Sequence, residues 1–154
     1  MIANNQLYLC SDEAVIMDSN YRYKVNAPEY DIKTKKGKQI TYITNSVSLA
    51  NSLEWDHELL VRLIGQALSC KSSVDKDLRC AAFQGIFRVG HITDIICYIV
   101  QCYMLCQSCD KPEVVLYRKK RVLKHACKAC GVKQRVNEAL ETTNMYDTIL
   151  KHFG

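Results

Sequence analysis

No stretch of these 154 residues is apolar for long enough to cross a bilayer. The longest run, Ile95 to Cys106, is broken by Gln101 and falls short of the ~20 residues a membrane helix needs. Met1 to Leu9 has neither a basic start nor a long apolar core, so no secretory signal is expected there. A glycine-rich phosphate loop is missing. The four histidines, His57, His91, His125 and His152, are scattered, and neither a Ser/His/Asp set nor a carboxylate pair gathers around them. There is no internal repeat, low-complexity tract or convincing linker. These absences point to a soluble binding module and away from a self-contained enzyme.

Cysteine, by contrast, is plentiful: nine residues, at positions 10, 70, 80, 97, 102, 106, 109, 127 and 130. Four form two Cys-x-x-Cys pairs, Cys106-Gln107-Ser108-Cys109 and Cys127-Lys128-Ala129-Cys130, with Asp110 to Ala126 between them. Each pair is a tight knuckle that aims two thiolates at one point, and two knuckles complete a tetrahedral four-sulfur zinc site. Gly131 stands where the second knuckle calls for a residue tolerant of positive φ. Between the pairs, Val114 to Tyr117 and Val122 to Leu123 flank a basic turn and read as a hairpin. So small a unit has almost no core, and zinc binding supplies roughly 10–16 kcal/mol toward folding such sites. The alternative, two disulfides, needs an oxidising compartment. An odd cysteine count, with five cysteines in no pairing pattern, fits a reduced, intracellular and cytoplasmic setting better. Cys97 and Cys102 lie close upstream as rival ligands, but on an apolar helix they read as core.

Charge is uneven. Residues 106–137 carry nine Lys or Arg against two acidic residues, a net of +7, so the remainder sums to −2 within the formal total of +5. Arg118, Lys119, Lys120, Arg121 and Lys124 form the densest patch, suited to a nucleic-acid backbone, RNA or DNA, with little sequence preference.

The chain divides by pattern into a mobile N-terminal tail (1–24), a mixed α/β domain (25–104), a zinc ribbon (105–137) and a C-terminal helical tail (138–154). The fold class is therefore α+β, a small mixed domain followed by a four-cysteine ribbon. In the tail, Asn4, Asn5, Ser11, Asp12, Asp18 and Ser19 argue for mobility, while Ala14 to Met17 pack locally. Tyr21-Arg22-Tyr23-Lys24 stands out as an aromatic–basic cluster, which by itself needs no more than two docking tyrosines and two solvated charges. Residues 29–44 alternate as a hairpin around Lys35-Lys36-Gly37-Lys38. Ser46 is expected to cap a short helix with Val47, Leu49, Ala50 and Leu53. Asp56 caps a longer one with Leu59, Leu60, Leu63, Ile64, Ala67 and Leu68 on one face. Gly65 inside it costs about 1 kcal/mol relative to alanine, which implies close packing. Strands near 71–74 and 78–83 follow, joined by Asp75-Lys76-Asp77. A third helix runs from about His91 to Tyr103, with Ile92, Ile95, Ile96, Ile99, Val100 and Tyr103 as its buried stripe.

The run Leu105 to Leu116 with both knuckles, together with Ile43-Thr44-Asn45, Gly65 and Gln84-Gly85, resembles one family over roughly residues 20–150. It is the domain shared by the amino-terminal part of eukaryotic translation initiation factor 5 and the beta subunit of initiation factor 2. The Tyr21-Arg22-Tyr23-Lys24 motif and the closing Ile149-Leu150-Lys151 are similar to factor 5 rather than to the beta subunit. The resemblance implies that Arg22 stimulates GTP hydrolysis in trans on the gamma subunit of initiation factor 2. It places the domain on small-subunit RNA near the initiator tRNA and start codon, with Lys35, Lys36, Lys38, Lys76 and Arg79 facing RNA. Arg62 falls at a partner-contacting helix position. Read without the family, these loop lysines are ordinary solvated turns. Factor 5 continues into an acidic linker and a helical carboxy-terminal domain, which this sequence does not include. A non-activating, beta-like structural component and a polymerase-bound zinc-ribbon transcription factor are the competing expectations.

Overall fold

The computed structural model describes residues 2–3, 5–12 and 20–154. The chain forms two compact units, one of Val25–Ile96 and one that joins Met1–Lys24 to Cys97–Gly154. Three short strands open it: β1 (Ile2–Ala3), β2 (Gln6–Tyr8) and β3 (Lys24–Asn26).

In the Val25–Ile96 unit, β4 (Tyr30–Lys35) and β5 (Lys38–Ile43) make a hairpin closed by Lys36 and Gly37. Their φ values of 51° and 77° are what a two-residue turn matched to strand twist demands, and the glycine makes the second one cheap. β6 (Ser72–Asp75) and β7 (Cys80–Gln84) complete an antiparallel sheet in the order β4-β5-β7-β6. The β6–β7 turn is longer than the expected Asp75-Lys76-Asp77. The Asp75 carboxylate accepts the N–H groups of Leu78 and Asp77, and Arg79 turns left-handed at φ 53°, so β7 starts only at Cys80. Those two backbone bonds, Leu78 foremost, with help from Lys35, also hold the Asp75 carboxyl below the usual carboxylate range.

Two helices complete this sheet's packing, α1 (Ser46–Ser52) and α2 (His57–Ala67). Asp56 caps α2 as expected, accepting the Leu59 N–H at 2.9 Å, and Leu59, Leu60, Leu63 and Ile64 are buried. They share the core with Ile43, Leu49, Ala50, Ala81 and Phe83. A Cβ at Gly65 would collide with Ser72 Oγ and Cβ, so the glycine is what lets α2 lie against β6. Ser46 departs from its expected capping role. Asn45 takes the cap position, its side chain bonded to the Ala27 carbonyl and the Glu29 N–H. Ser46 lies one residue inside the helix and is buried. Its hydroxyl accepts the Ala81 N–H at 2.8 Å and shares a 2.9 Å hydrogen bond with His57 Nε2.

α3 (Val89–Ile99) carries the expected stripe, with Ile92, Ile95, Ile96 and Ile99 buried. It ends in a widened π turn, Val100–Met104, where the Leu105 N–H reaches the Val100 carbonyl.

In the other unit, β8 (Val114–Lys119), β9 (Val122–Cys127) and β10 (Lys133–Arg135) form the antiparallel ribbon sheet, with β9 central. Leu116, Leu123 and Cys127 face inward. α4 (Asn144–His152), capped by Thr143, docks on it through the Tyr146 hydroxyl, which accepts the buried Leu123 N–H at 2.9 Å. At the start of the chain β1 pairs with β2, and Leu7, Tyr8, Leu9 and Cys10 are buried. The Leu9 N–H donates to the Tyr23 carbonyl at 2.9 Å, and the Tyr21 hydroxyl donates to the Leu9 carbonyl at 2.7 Å. Asn4, Ala14 to Met17, Asp18 and Ser19 lie outside the described residues. No helix among the described residues is long and apolar enough to cross a membrane.

Candidate metal centre

Both knuckles are built by the same backbone pattern. Cys106 N–H donates to the Lys111 carbonyl and Asp110 N–H to the Cys106 carbonyl; Cys127 N–H donates to Val132 and Gly131 N–H to Cys127. Each turn needs a left-handed residue after its second cysteine, and Asp110 (φ 59°) and Gly131 (φ 76°) supply it. The result brings the sulfurs of Cys106, Cys109, Cys127 and Cys130 within 4.8 Å of one another.

Cys106 Sγ and Cys130 Sγ are 3.7 Å apart, as are Cys109 Sγ and Cys127 Sγ. That is far beyond the ~2.05 Å of a disulfide. It fits the spacing of about 3.8 Å that four sulfurs adopt around zinc at ~2.3 Å. Both of these pairs take one sulfur from each knuckle, so neither turn alone makes the site. Packed together, the thiols disturb one another. Burial pushes Cys127 upward, but the Cys130 and Ala129 N–H groups and the neighbouring thiols outweigh it and bring the group down to about 7. The Lys111 N–H favours the Cys109 thiolate, yet burial and the other three sulfurs push this thiol up to about 12. A divalent cation held by the four sulfurs would favour the thiolate form of both Cys109 and Cys127. Cys106 and Cys127 are buried while Cys130 is exposed, so the centre sits at the surface.

His125, two residues before Cys127 on β9, is buried, and burial lowers its affinity for a proton. Its Nε2 has no hydrogen-bond partner among the described residues. Cys97 and Cys102, the rival ligands, do not join the cluster.

Arg22 is found beside Glu113, which lies in sequence between the two knuckles. Its guanidinium lies over the Tyr23 ring, 4.7 Å from the centroid, bonds the Tyr23 hydroxyl, and stands 3.8 Å from Glu113 Oε1. The side chain remains 75% exposed, so it is held without being buried. The Tyr23 bond, ahead of Glu113, keeps it firmly protonated. Tyr21 stands edge-on to Tyr23 and stacks with Tyr8; burial pushes its hydroxyl up to about 12.

The basic residues fall in three places. Lys119, Lys120 and Arg121 are exposed at the β8–β9 turn, with Lys124 half-buried on β9. Arg118 spends its Nε on the Lys120 carbonyl at 2.7 Å and so shapes that turn. Strand register places Lys133 opposite Ala126 on the third strand, an exposed cation outside the patch named from the sequence. In the Val25–Ile96 unit, Lys36, Lys38, Lys76 and Arg79 are exposed, whereas Lys35 lies 3.4 Å from Asp75. Arg62 is exposed on α2 and lines a shallow groove with Glu58, Val61 and Ser72 to Val74. Sequence reading missed Asp110 and Glu113, because nothing local pairs them with residues so distant in the chain.

A mixed helix-and-sheet chain with a four-cysteine cluster at 106–130 defines a ribbon protein of the zinc-binding type. The family model for the domain found in initiation factors 2B and 5 matches residues 13–133, and the chain belongs to this family of translation initiation factors. It is 30% identical over 118 residues to eukaryotic translation initiation factor 5 of Caenorhabditis elegans, covering 75% of this chain and 27% of that protein. Against the probable factor 5 of Schizosaccharomyces pombe it is 26% identical, covering 75% of this chain and 30% of the relative. Against translation initiation factor 2 subunit beta of Methanosarcina mazei it is 31% identical over 124 residues, 74% of this chain and 60% of that subunit. The chain thus spans only part of the length of each of these relatives.

Proposed function

We propose that the chain is a factor 5-like module that stimulates GTP hydrolysis by initiation factor 2 carrying initiator tRNA on the small ribosomal subunit, and so takes part in start-codon selection. The observation that carries this reading is the exposed Arg22 guanidinium in its Tyr-Arg-Tyr-Lys setting. Phosphoryl transfer builds charge on the γ-phosphate oxygens, and a guanidinium offered in trans stabilises it, typically for 10³–10⁵ in rate. Arginine suits the task because it stays charged and presents a planar fork of donors. The gamma subunit of factor 2 is the receiving GTPase, and Arg62 contacts the same complex. Cys106, Cys109, Cys127 and Cys130 hold one structural zinc ion, which ties the two knuckles together and does no chemistry. Arg118, Lys119, Lys120, Arg121 and Lys124, with Lys35, Lys36, Lys38, Lys76 and Arg79, contact small-subunit RNA close to the initiator tRNA and start codon, in the cytoplasm.

A second reading is favoured by the 31% identity to an archaeal beta subunit: a structural component of initiation factor 2 without activating function. Single-turnover GTP hydrolysis on small subunits separates the two. Under the first, wild type accelerates hydrolysis, and both Arg22→Ala and Arg22→Lys lose the acceleration by about 10²-fold or more with the fold intact. Equal rates with and without the chain favour the second.

A further inference from the structure

The two knuckles differ in one respect. Where the second has Gly131, the first has Asp110, although a side chain in the left-handed region costs roughly 1 kcal/mol. Asp110 uses that side chain: its carboxylate accepts the Ser11 hydroxyl at 2.8 Å and the Ser11 N–H at 3.3 Å. Three residues on, the Glu113 carbonyl accepts the Lys128 N–H of the second knuckle, while its carboxylate accepts the Tyr23 hydroxyl at 2.8 Å. Two carboxylates set into the cysteine ribbon therefore grip the N-terminal segment at Ser11 and Tyr23, 99 and 90 residues away in sequence.

We propose that Asp110 and Glu113 are positioning residues for Arg22, and that the ribbon is the bracket that fixes where this guanidinium is offered. The proposal rests on the GTPase-activating reading and deepens it. An arginine on a free segment must be ordered at every encounter, whereas one held through the bonded Tyr23 beside it arrives with much of that entropy already lost. Tyr23 is the pivot, since its hydroxyl bonds Glu113 and its ring carries the guanidinium. The Arg22–Glu113 pair itself is long and exposed, and such pairs bind weakly. A phosphate of higher charge displaces the carboxylate from the guanidinium, while the Tyr23–Glu113 bond stays.

The test uses the full chain and three ribbon variants. Asp110→Gly keeps a residue suited to the left-handed turn and removes only the carboxylate. Glu113→Gln keeps an acceptor for the Tyr23 hydroxyl, and Glu113→Ala removes it. Tryptic cleavage after Arg22 reads the grip without reference to activity. It is expected to quicken about tenfold in Glu113→Ala, which loses one hydrogen bond to a charged acceptor, and at least tenfold in Asp110→Gly, which loses two, and to stay near wild type in Glu113→Gln. GTP hydrolysis at saturating chain should fall about tenfold in the first two variants, at an unchanged half-saturating concentration, with Glu113→Gln rescuing most of the rate. Wild-type cleavage and wild-type saturating rates in Glu113→Ala and Asp110→Gly, with Arg22→Ala still inactive, overturn the inference and leave the functional reading standing. Full stimulation by Arg22→Ala overturns both together.

Discussion

Ser46 Oγ receives the Ala81 N–H while bonded to His57, so one hydroxyl serves a helix start, a second helix and a central strand. Ser46→Ala leaves a buried N–H without its acceptor and is expected to cost about 1–3 kcal/mol, read as a lower urea midpoint with an unchanged slope. His57 adds a pH term. Burial lowers its pKa from the ordinary 6.5, against smaller opposing effects of Asp56 and Glu58. Below 6.5 the unfolded chain then takes up a proton that the folded chain resists. Stability is therefore present above that pH and is lost as pH falls toward the folded value, where the loss levels off. His125, also lowered by burial, acts with the same sign. The fall in melting temperature between about pH 7.5 and 5.5 should be smaller in His57→Gln than in wild type.

At the scale of elements, α2 and the ribbon solve different problems. α2 has enough apolar surface to bury itself against the sheet, and Gly65 sets how near it comes. β8 and β9 bury little beyond Leu116, Leu123, His125 and Cys127, so their pairing depends on the two knuckles being drawn together. Chelation by EDTA is expected to remove hydrogen-exchange protection at Leu123 and Cys127 while Ile43 and Phe83 keep theirs. Undiminished protection at Leu123 in chelator would show that the ribbon needs no metal.

Across the whole molecule the charge is lopsided: +7 over residues 106–137 and −2 elsewhere. A polyanion bound by the five ribbon cations releases its condensed counterions. Affinity for small-subunit RNA should then fall roughly a hundredfold or more between about 50 and 200 mM salt. Replacing Lys119, Lys120 and Arg121 by Gln should flatten the salt slope by about three charges' worth, as filter binding would show. A slope unchanged by the triple variant would move the contact elsewhere.

Much of this was legible because local chemistry decided it. Paired knuckles announce a four-sulfur centre wherever they fold, since Cys-x-x-Cys geometry is set within one turn. Asp56, the α2 stripe and the Lys36-Gly37 turn were equally plain, for caps, helical period and left-handed φ are properties of neighbouring residues. The inward Ser46 was not legible, because a serine at a helix start reads the same whether it caps or is buried. Nor was the grip of Asp110 on Ser11 and of Glu113 on Tyr23. Carboxylates carry no mark of a partner some ninety residues away, and only the folded chain brings them into hydrogen-bonding reach. Sequence alone determined that this chain has paired cysteine knuckles and a basic hairpin, and only the family resemblance singled out Arg22. Tertiary structure decided that the arginine is held by the ribbon, because that contact arises from chain closure and from no local preference.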